Sequence, residues 1–127
     1  MTFYFTIPGV PIPKGRPRVM RGGWAFTPKR TEIAQNSIRL VATRARQATK
    51  STILGPNYSG RLLCHLKFFG ARENADLDNL YKTVTDACEG VLYKNDCQID
   101  DAAMVRLPAK KSDARTEVAI EEIKGAL

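Results

Sequence analysis

Between Gly60 and Gly70 the chain carries Leu62-Leu63-Cys64-His65-Leu66-Lys67-Phe68-Phe69, an almost continuously apolar run. Such a run reads as a central strand, because its two faces both present apolar side chains that must leave water. The patterns on either side supply its neighbours. Thr2–Ile7 alternates Phe3, Phe5 and Ile7 with Thr2, Tyr4 and Thr6, the period of a half-buried strand, and Pro8-Gly9 ends it. Ile99–Leu107 reads as another strand, Pro108–Ala114 as a basic hairpin loop, and Thr116–Ile123 as a last strand in which Thr116, Val118 and Ile120 alternate with Glu117, Ala119 and Glu121. Two stretches have helical spacing instead. Thr27-Pro28 opens the first, which runs to about Lys50 with Ala34, Ile38, Val41, Ala42, Ala45 and Ala48 on one face and Arg39, Arg46 and Lys50 on the other. The second spans about Asp78 to Leu92, with Leu80, Tyr81, Val84, Ala87, Cys88 and Val91 facing inward and Asp78, Lys82, Asp86 and Glu89 opposite.

The order β-α-β-α-β-β in 127 residues predicts one domain, residues 1–127, in the α+β class. The expected form is a two-layer sandwich, a mixed sheet of about four main strands with both helices on one face. The other sheet face then needs cover, and a homodimer would provide it.

Charge is divided along the chain. Residues 1–72 hold 13 Lys/Arg against Glu32 alone, whereas residues 73–127 hold 7 Lys/Arg against 12 Asp/Glu, for a net of +7 overall. A basic surface of this strength suits a polyanion, since each neutralised phosphate releases condensed counterions. Eight of the acids fall between Glu73 and Asp101. Holding divalent cations against phosphates would give such a cluster a purpose. With one histidine, His65, and three cysteines, Cys64, Cys88 and Cys97, none in a CxxC pair, zinc constellations lack ligands and any metal is expected on oxygen. No run approaches the length of a membrane span and the N-terminus lacks an export signal, so a cytoplasmic protein with reduced thiols is expected. Neither a membrane nor a nucleotide cofactor is expected as a partner.

The most informative segment is Asn74-Ala75-Asp76-Leu77-Asp78-Asn79-Leu80-Tyr81-Lys82. Asp76 and Asp78, two apart in an extended stretch, can converge on one cation where strand gives way to helix, and Lys82 lies one helical turn beyond Asp78. The same spacing also describes an ordinary helix start, with acids favoured by the dipole and an i,i+4 ion pair. Asp96 follows the second helix and could approach the Asp76–Asp78 edge if the next strand runs beside Leu62–Phe69. Asp100 and Asp101 are strand neighbours, so at most one faces that place. Asp86, on the polar face of the helix, reads either as a group supporting the site residues from behind or as a helix-surface charge, and the second reading is preferred.

In the Pro- and Gly-rich stretch 10–26, an extended loop by composition, Lys14, Arg16 and Arg18 alternate and could present a row of cations to phosphates; a solvated loop is the other reading. Trp24 and Phe26 could stack on an unpaired base or pack in the core. Phe68 and Phe69 face opposite ways, so one belongs to the core.

At these residues the sequence resembles the RusA family of Holliday junction resolvases. The likeness rests on Asp76-Leu77-Asp78-Asn79-Leu80 with Lys82, on Asp86, on Asp96-Cys97-Gln98-Ile99 leading into a strand, and on Lys14-Gly15-Arg16-Pro17-Arg18, which is similar to a segment of phage and prophage members. It implies a homodimeric crossover junction endodeoxyribonuclease of DNA recombination and repair that uses Mg²⁺, with Mn²⁺ as a substitute, to nick branched DNA symmetrically. By position it implies Asp76, Asp78 and Asp96 as catalytic metal ligands, Lys82 as a catalytic cation at the scissile phosphate, and Lys14, Arg16 and Arg18 as DNA contacts. Where some members carry an acidic pair this chain has Asn95 before Asp96, so no fourth ligand is carried over. Two rival readings stand beside it: a basic nucleic-acid-binding module without catalysis, and a metal-dependent nuclease for another branched DNA or for RNA.

Overall fold

In the computed structural model, which describes residues 2–15, 18–19, 22–23, 25–26 and 28–124, the apolar run forms strand β4 (Leu62–Phe69) inside a four-stranded sheet. Its partners are β1 (Thr2–Pro8), β5 (Ile99–Leu107) and β6 (Arg115–Glu122), in the order β1-β6-β4-β5. β4 runs parallel to β5 and antiparallel to β6, and β6 is antiparallel to β1, so the sheet is mixed. Helices α1 (Lys29–Ala48) and α2 (Leu77–Cys88) pack against each other over one face, completing the expected β-α-β-α-β-β sandwich. The stretch 10–26, expected as a loop, also holds a short antiparallel ribbon of β2 (Arg18–Val19) and β3 (Ala25–Phe26).

The core lies between sheet and helices. Phe3, Phe5, Ile7, Leu62, Cys64, Leu66, Phe68, Val118 and Ile120 meet Ile38, Ala42, Leu80, Val84 and Ala87 there. Leu66 and Phe68 are each 1% exposed, and burying side chains of this kind stabilises by about 1.5–3 kcal/mol apiece. Of the two phenylalanines, Phe68 is therefore the core residue. Phe69 points the other way and lies under Arg115, whose guanidinium carbon is 4.0 Å from the ring centroid.

Several boundaries differ from the sequence reading by one to four residues, and the connection 108–114 is not a hairpin, because β5 and β6 lie on opposite sides of β4. Pro28 is the N-cap of α1 rather than its first helical residue, and Thr27 lies outside the described residues. α2 starts one residue earlier than expected and stops at Cys88, four residues before Leu92. The chain turns at Gly90, where φ is +78°, a conformation that costs glycine little and other residues more. Val91 is therefore not on the helix. The outward sheet face also differs from the apolar patch expected of it: Tyr4 and Val105 are exposed there, but β4 presents Leu63, His65, Lys67 and Phe69, and β6 interleaves Ala119 with Glu117 and Glu121. His65 and Lys67 interrupt the apolar row because the alternation places every polar residue of β4 on that one face.

Candidate active site

The site begins where β4 gives way to α2. Arg106 on β5 stands opposite Phe68 in register, hence on the helix-covered side of the sheet. From there its Nη1 donates to the carbonyl oxygens of Arg72 at 3.2 Å and Glu73 at 2.8 Å, and its Nη2 donates to that of Ala75. One guanidinium thus gathers three carbonyls of the loop leading into the helix. Asp76 follows at the N-cap, its Oδ1 accepting from the Asp78 backbone N–H at 2.9 Å. Such a cap satisfies a helix-end donor and fixes the direction in which the carboxylate points. Asp76 and Asp78 are both exposed.

One turn along α2, Lys82 holds two acids. Its Nζ lies 2.9 Å from Asp96 Oδ2 and 3.1 Å from Asp86 Oδ1. The second oxygen of Asp86 pairs with Lys14, whose backbone N–H donates to the Asn79 carbonyl at 2.9 Å. Asp86 is therefore a bridge between two lysines, which agrees with the supporting role and not with the preferred reading as a helix-surface charge. Asp96 sits on a tightly held turn: its N–H donates to Glu89 Oε1 at 2.8 Å, Asn95 and Gln98 cap each other across the turn, and Gln98 Nε2 donates to the carbonyls of Tyr58 at 2.8 Å and Gly60 at 2.9 Å. The Lys82 ammonium holds the Asp96 carboxyl below its ordinary value, and the Asp96 carboxylate raises Lys82 in return. Both groups are charged at neutral pH. Beside them Tyr81 is pushed well up by burial, so its phenol stays protonated.

Asp76, Asp78 and Asp96 supply only carboxylate oxygens, the donors a hard divalent cation takes, and the lowered Asp96 keeps its oxygens free of protons. That donor chemistry fits a magnesium-type ion. In the arrangement described here Lys82 occupies Asp96, while a helical turn, about 6 Å of rise, separates Lys82 from Asp78; among the described residues no three His, Cys, Asp or Glu side chains converge as a ligand set.

Asp76 also lines an open cleft of about 630 Å³ together with Lys14, Gly15, Arg30, Thr31, Arg72, Asn74 and Asn79. Gly15 makes the near wall possible, since a Cβ there would meet Pro28 Cγ at 2.9 Å while its N–H reaches Thr31 Oγ1 at 2.8 Å. A smaller recess of about 140 Å³, between Phe3, Ile53, Leu54 and Ile120, contains none of the site residues.

Of the acids considered from sequence, Asp76 and Asp78 share a helix start, and Asp96 joins Lys82 and Asp86. Asp100 and Asp101 lie elsewhere, Asp100 paired with Arg61 and Asp101 Oδ1 3.0 Å from His65 Nε2. Arg16 and Trp24 fall outside the described residues, as do the side chains of Arg18 and Phe26. Sequence reasoning missed Arg30, Arg72 and Arg106. The signal for Arg106 is present in retrospect, because strand alternation puts this cation on the face that Phe68 and Met104 share.

Acids and a lysine at the edge of a cation-lined cleft are the parts of an enzyme that cleaves phosphodiesters in a polyanion. The chain matches the family model for Endodeoxyribonuclease RusA over residues 8–121 and belongs to that family. It is a Holliday-junction-resolving endodeoxyribonuclease, a hydrolase of DNA phosphodiester bonds whose family is generally metal-dependent and acts on branched DNA. The reading as a binding module without catalysis is thereby set aside. Comparison with curated proteins gave no match. Among the described residues no helix is long and apolar enough to cross a membrane.

Proposed function

We propose that this enzyme resolves four-way junctions as a homodimer, with Mg²⁺ held by Asp76, Asp78 and Asp96 and with Lys82 at the scissile phosphate. The observation that carries the reading is the position of Lys82, 2.9 Å from Asp96, a turn beyond Asp78, and on the helix whose N-cap, Asp76, lines the basic cleft. A bound divalent ion supplies Lewis-acid charge and acidifies an attacking water. Lys82 contributes positive charge where the phosphorane-like transition state gathers negative charge. Asp86, holding Lys82 on one side and Lys14 on the other, sets where that ammonium stands before substrate arrives. Lys14, Arg16 and Arg18 contact the backbone of the junction arms, and an isologous dimer presents two identical sites to strands related by the two-fold of the junction.

The test uses a synthetic four-way junction, a linear duplex and a single strand, each with Mg²⁺ or EDTA, and light scattering on the same preparation. Paired nicks in the junction with Mg²⁺ alone, and a mass about twice 14.1 kDa, are expected. Nicking that persists in EDTA would contradict the metal assignment, and a monomer that makes both nicks in one binding event would contradict the dimer.

A further inference from the structure

We infer that Arg30 and Arg72 grip backbone phosphates of the DNA strand that passes Asp76, forming a subsite in the cleft between the start of α1 and the β4–α2 loop. The inference rests on the active-site reading above and extends it to residues that reading does not use.

Among the described residues three cations, Lys14, Arg30 and Arg72, line the cleft, and they are not equivalent. Lys14 is already committed to Asp86. Arg30 and Arg72 are exposed, and among the described residues neither guanidinium makes an ion pair or a side-chain hydrogen bond. They come from chain segments 42 residues apart in number, yet open onto the same space of about 630 Å³ as Asp76. Two uncompensated cations that share a concave surface gain most from an anion between or beside them, and a guanidinium fork matches phosphate oxygens in shape as well as charge. The backbone behind Arg72 is fixed, because its carbonyl accepts from Arg106. Arg30 rises from the first turn of α1, where the neighbouring Thr31 receives the Gly15 N–H. Both side chains therefore stand on supported backbone. The remaining polar lining, Asn74 and Asn79, adds neutral amides that can meet phosphate or sugar oxygens without reading sequence. The occupant that fits a row of free cations running up to a nuclease carboxylate is the phosphodiester backbone itself.

The experiment compares wild type, the double variant Arg30→Gln/Arg72→Gln and a charge-matched control, Arg44→Gln/Lys50→Gln, altered at exposed positions of α1 and just beyond it. Junction affinity is measured by fluorescence anisotropy in EDTA between 50 and 200 mM salt. Loss of two phosphate contacts lowers the slope of log affinity against log salt by about 1.8, so the variant loses about twelvefold less affinity than wild type across that range. With Mg²⁺ the same variant should show a raised KM and a kcat closer to wild type, and the Arg30→Lys/Arg72→Lys form should recover most of the slope. A double-Gln slope equal to wild type would overturn the inference. So would an equal fall in the control pair, because net charge and not this cleft would then set the slope. A wild type that does not bind the junction would instead contradict the site reading on which the inference rests.

Discussion

Replacing Arg106 by Ala removes the guanidinium that joins the carbonyls of Arg72, Glu73 and Ala75. The cost is unequal across the three. The Arg72 carbonyl keeps its second donor, the Ala75 N–H at 3.0 Å, and Glu73 is exposed, so its carbonyl can turn to water, whereas Ala75 is 7% exposed and its carbonyl is left without the guanidinium in a nearly dry place. A hydrogen bond from a charged donor contributes about 1.5–3 kcal/mol, and one such loss with two that are mostly offset gives about 2 kcal/mol in all. At roughly 4 °C per kcal/mol for a chain of this size, thermal unfolding should fall by about 8 °C. Function should suffer more than stability. The loop that relaxes ends at Asp76, so junction nicking at 25 °C, where the variant remains folded, should drop at least tenfold, with half-saturation in Mg²⁺ shifted upward. Arg106→Lys, which keeps the charge but loses the fork, should fall between. Melting by circular dichroism and single-turnover nicking over a Mg²⁺ series measure both quantities. If Arg106→Ala melts and nicks as wild type does, the guanidinium does not position the loop.

Two further outcomes follow from the same contacts. Burial pushes the Cys64 thiol up to about 12 and Cys88 higher still, while Cys97 is exposed, so a thiol reagent at pH 8 should label one cysteine quickly and two only on unfolding; fast labelling of all three would contradict the packing of β4 against α2. Asp86→Asn releases Lys14 and weakens the hold on Lys82, so junction binding at low salt should tighten a few-fold while nicking slows. Unchanged binding and rate would show that the bridge between the lysines has no bearing on DNA.

The fold was readable where side-chain period alone decides it. Phe3, Phe5 and Ile7 had to share one face of β1, and the continuous run of β4 had to be central; both are so. The end of α2 was misjudged because the apolar period carries on through Val91 and Leu92, while one glycine with positive φ decides the backbone. Leu92 remains fully buried without being helical. The candidate site was legible only in its local part. Asp76, Asp78 and Lys82 lie within seven consecutive residues, so helical geometry relates them. Asp86 and Lys14 are 72 residues apart, and Arg106 reaches a loop 31 to 34 residues away, so their contacts depend on the assembled fold and leave no local trace in spacing.

The assignment of Asp76, Asp78 and Asp96 to the metal and Lys82 to the phosphate meets its most direct test in the junction assay with Asp76→Asn, Asp78→Asn and Asp96→Asn, binding and nicking being read in the same samples with Mg²⁺. The account predicts nicking reduced at least a hundredfold in each variant while junction binding stays equal or tightens, since one ligand charge is lost and the repulsion of phosphate falls with it. Full cleavage by these variants would contradict it.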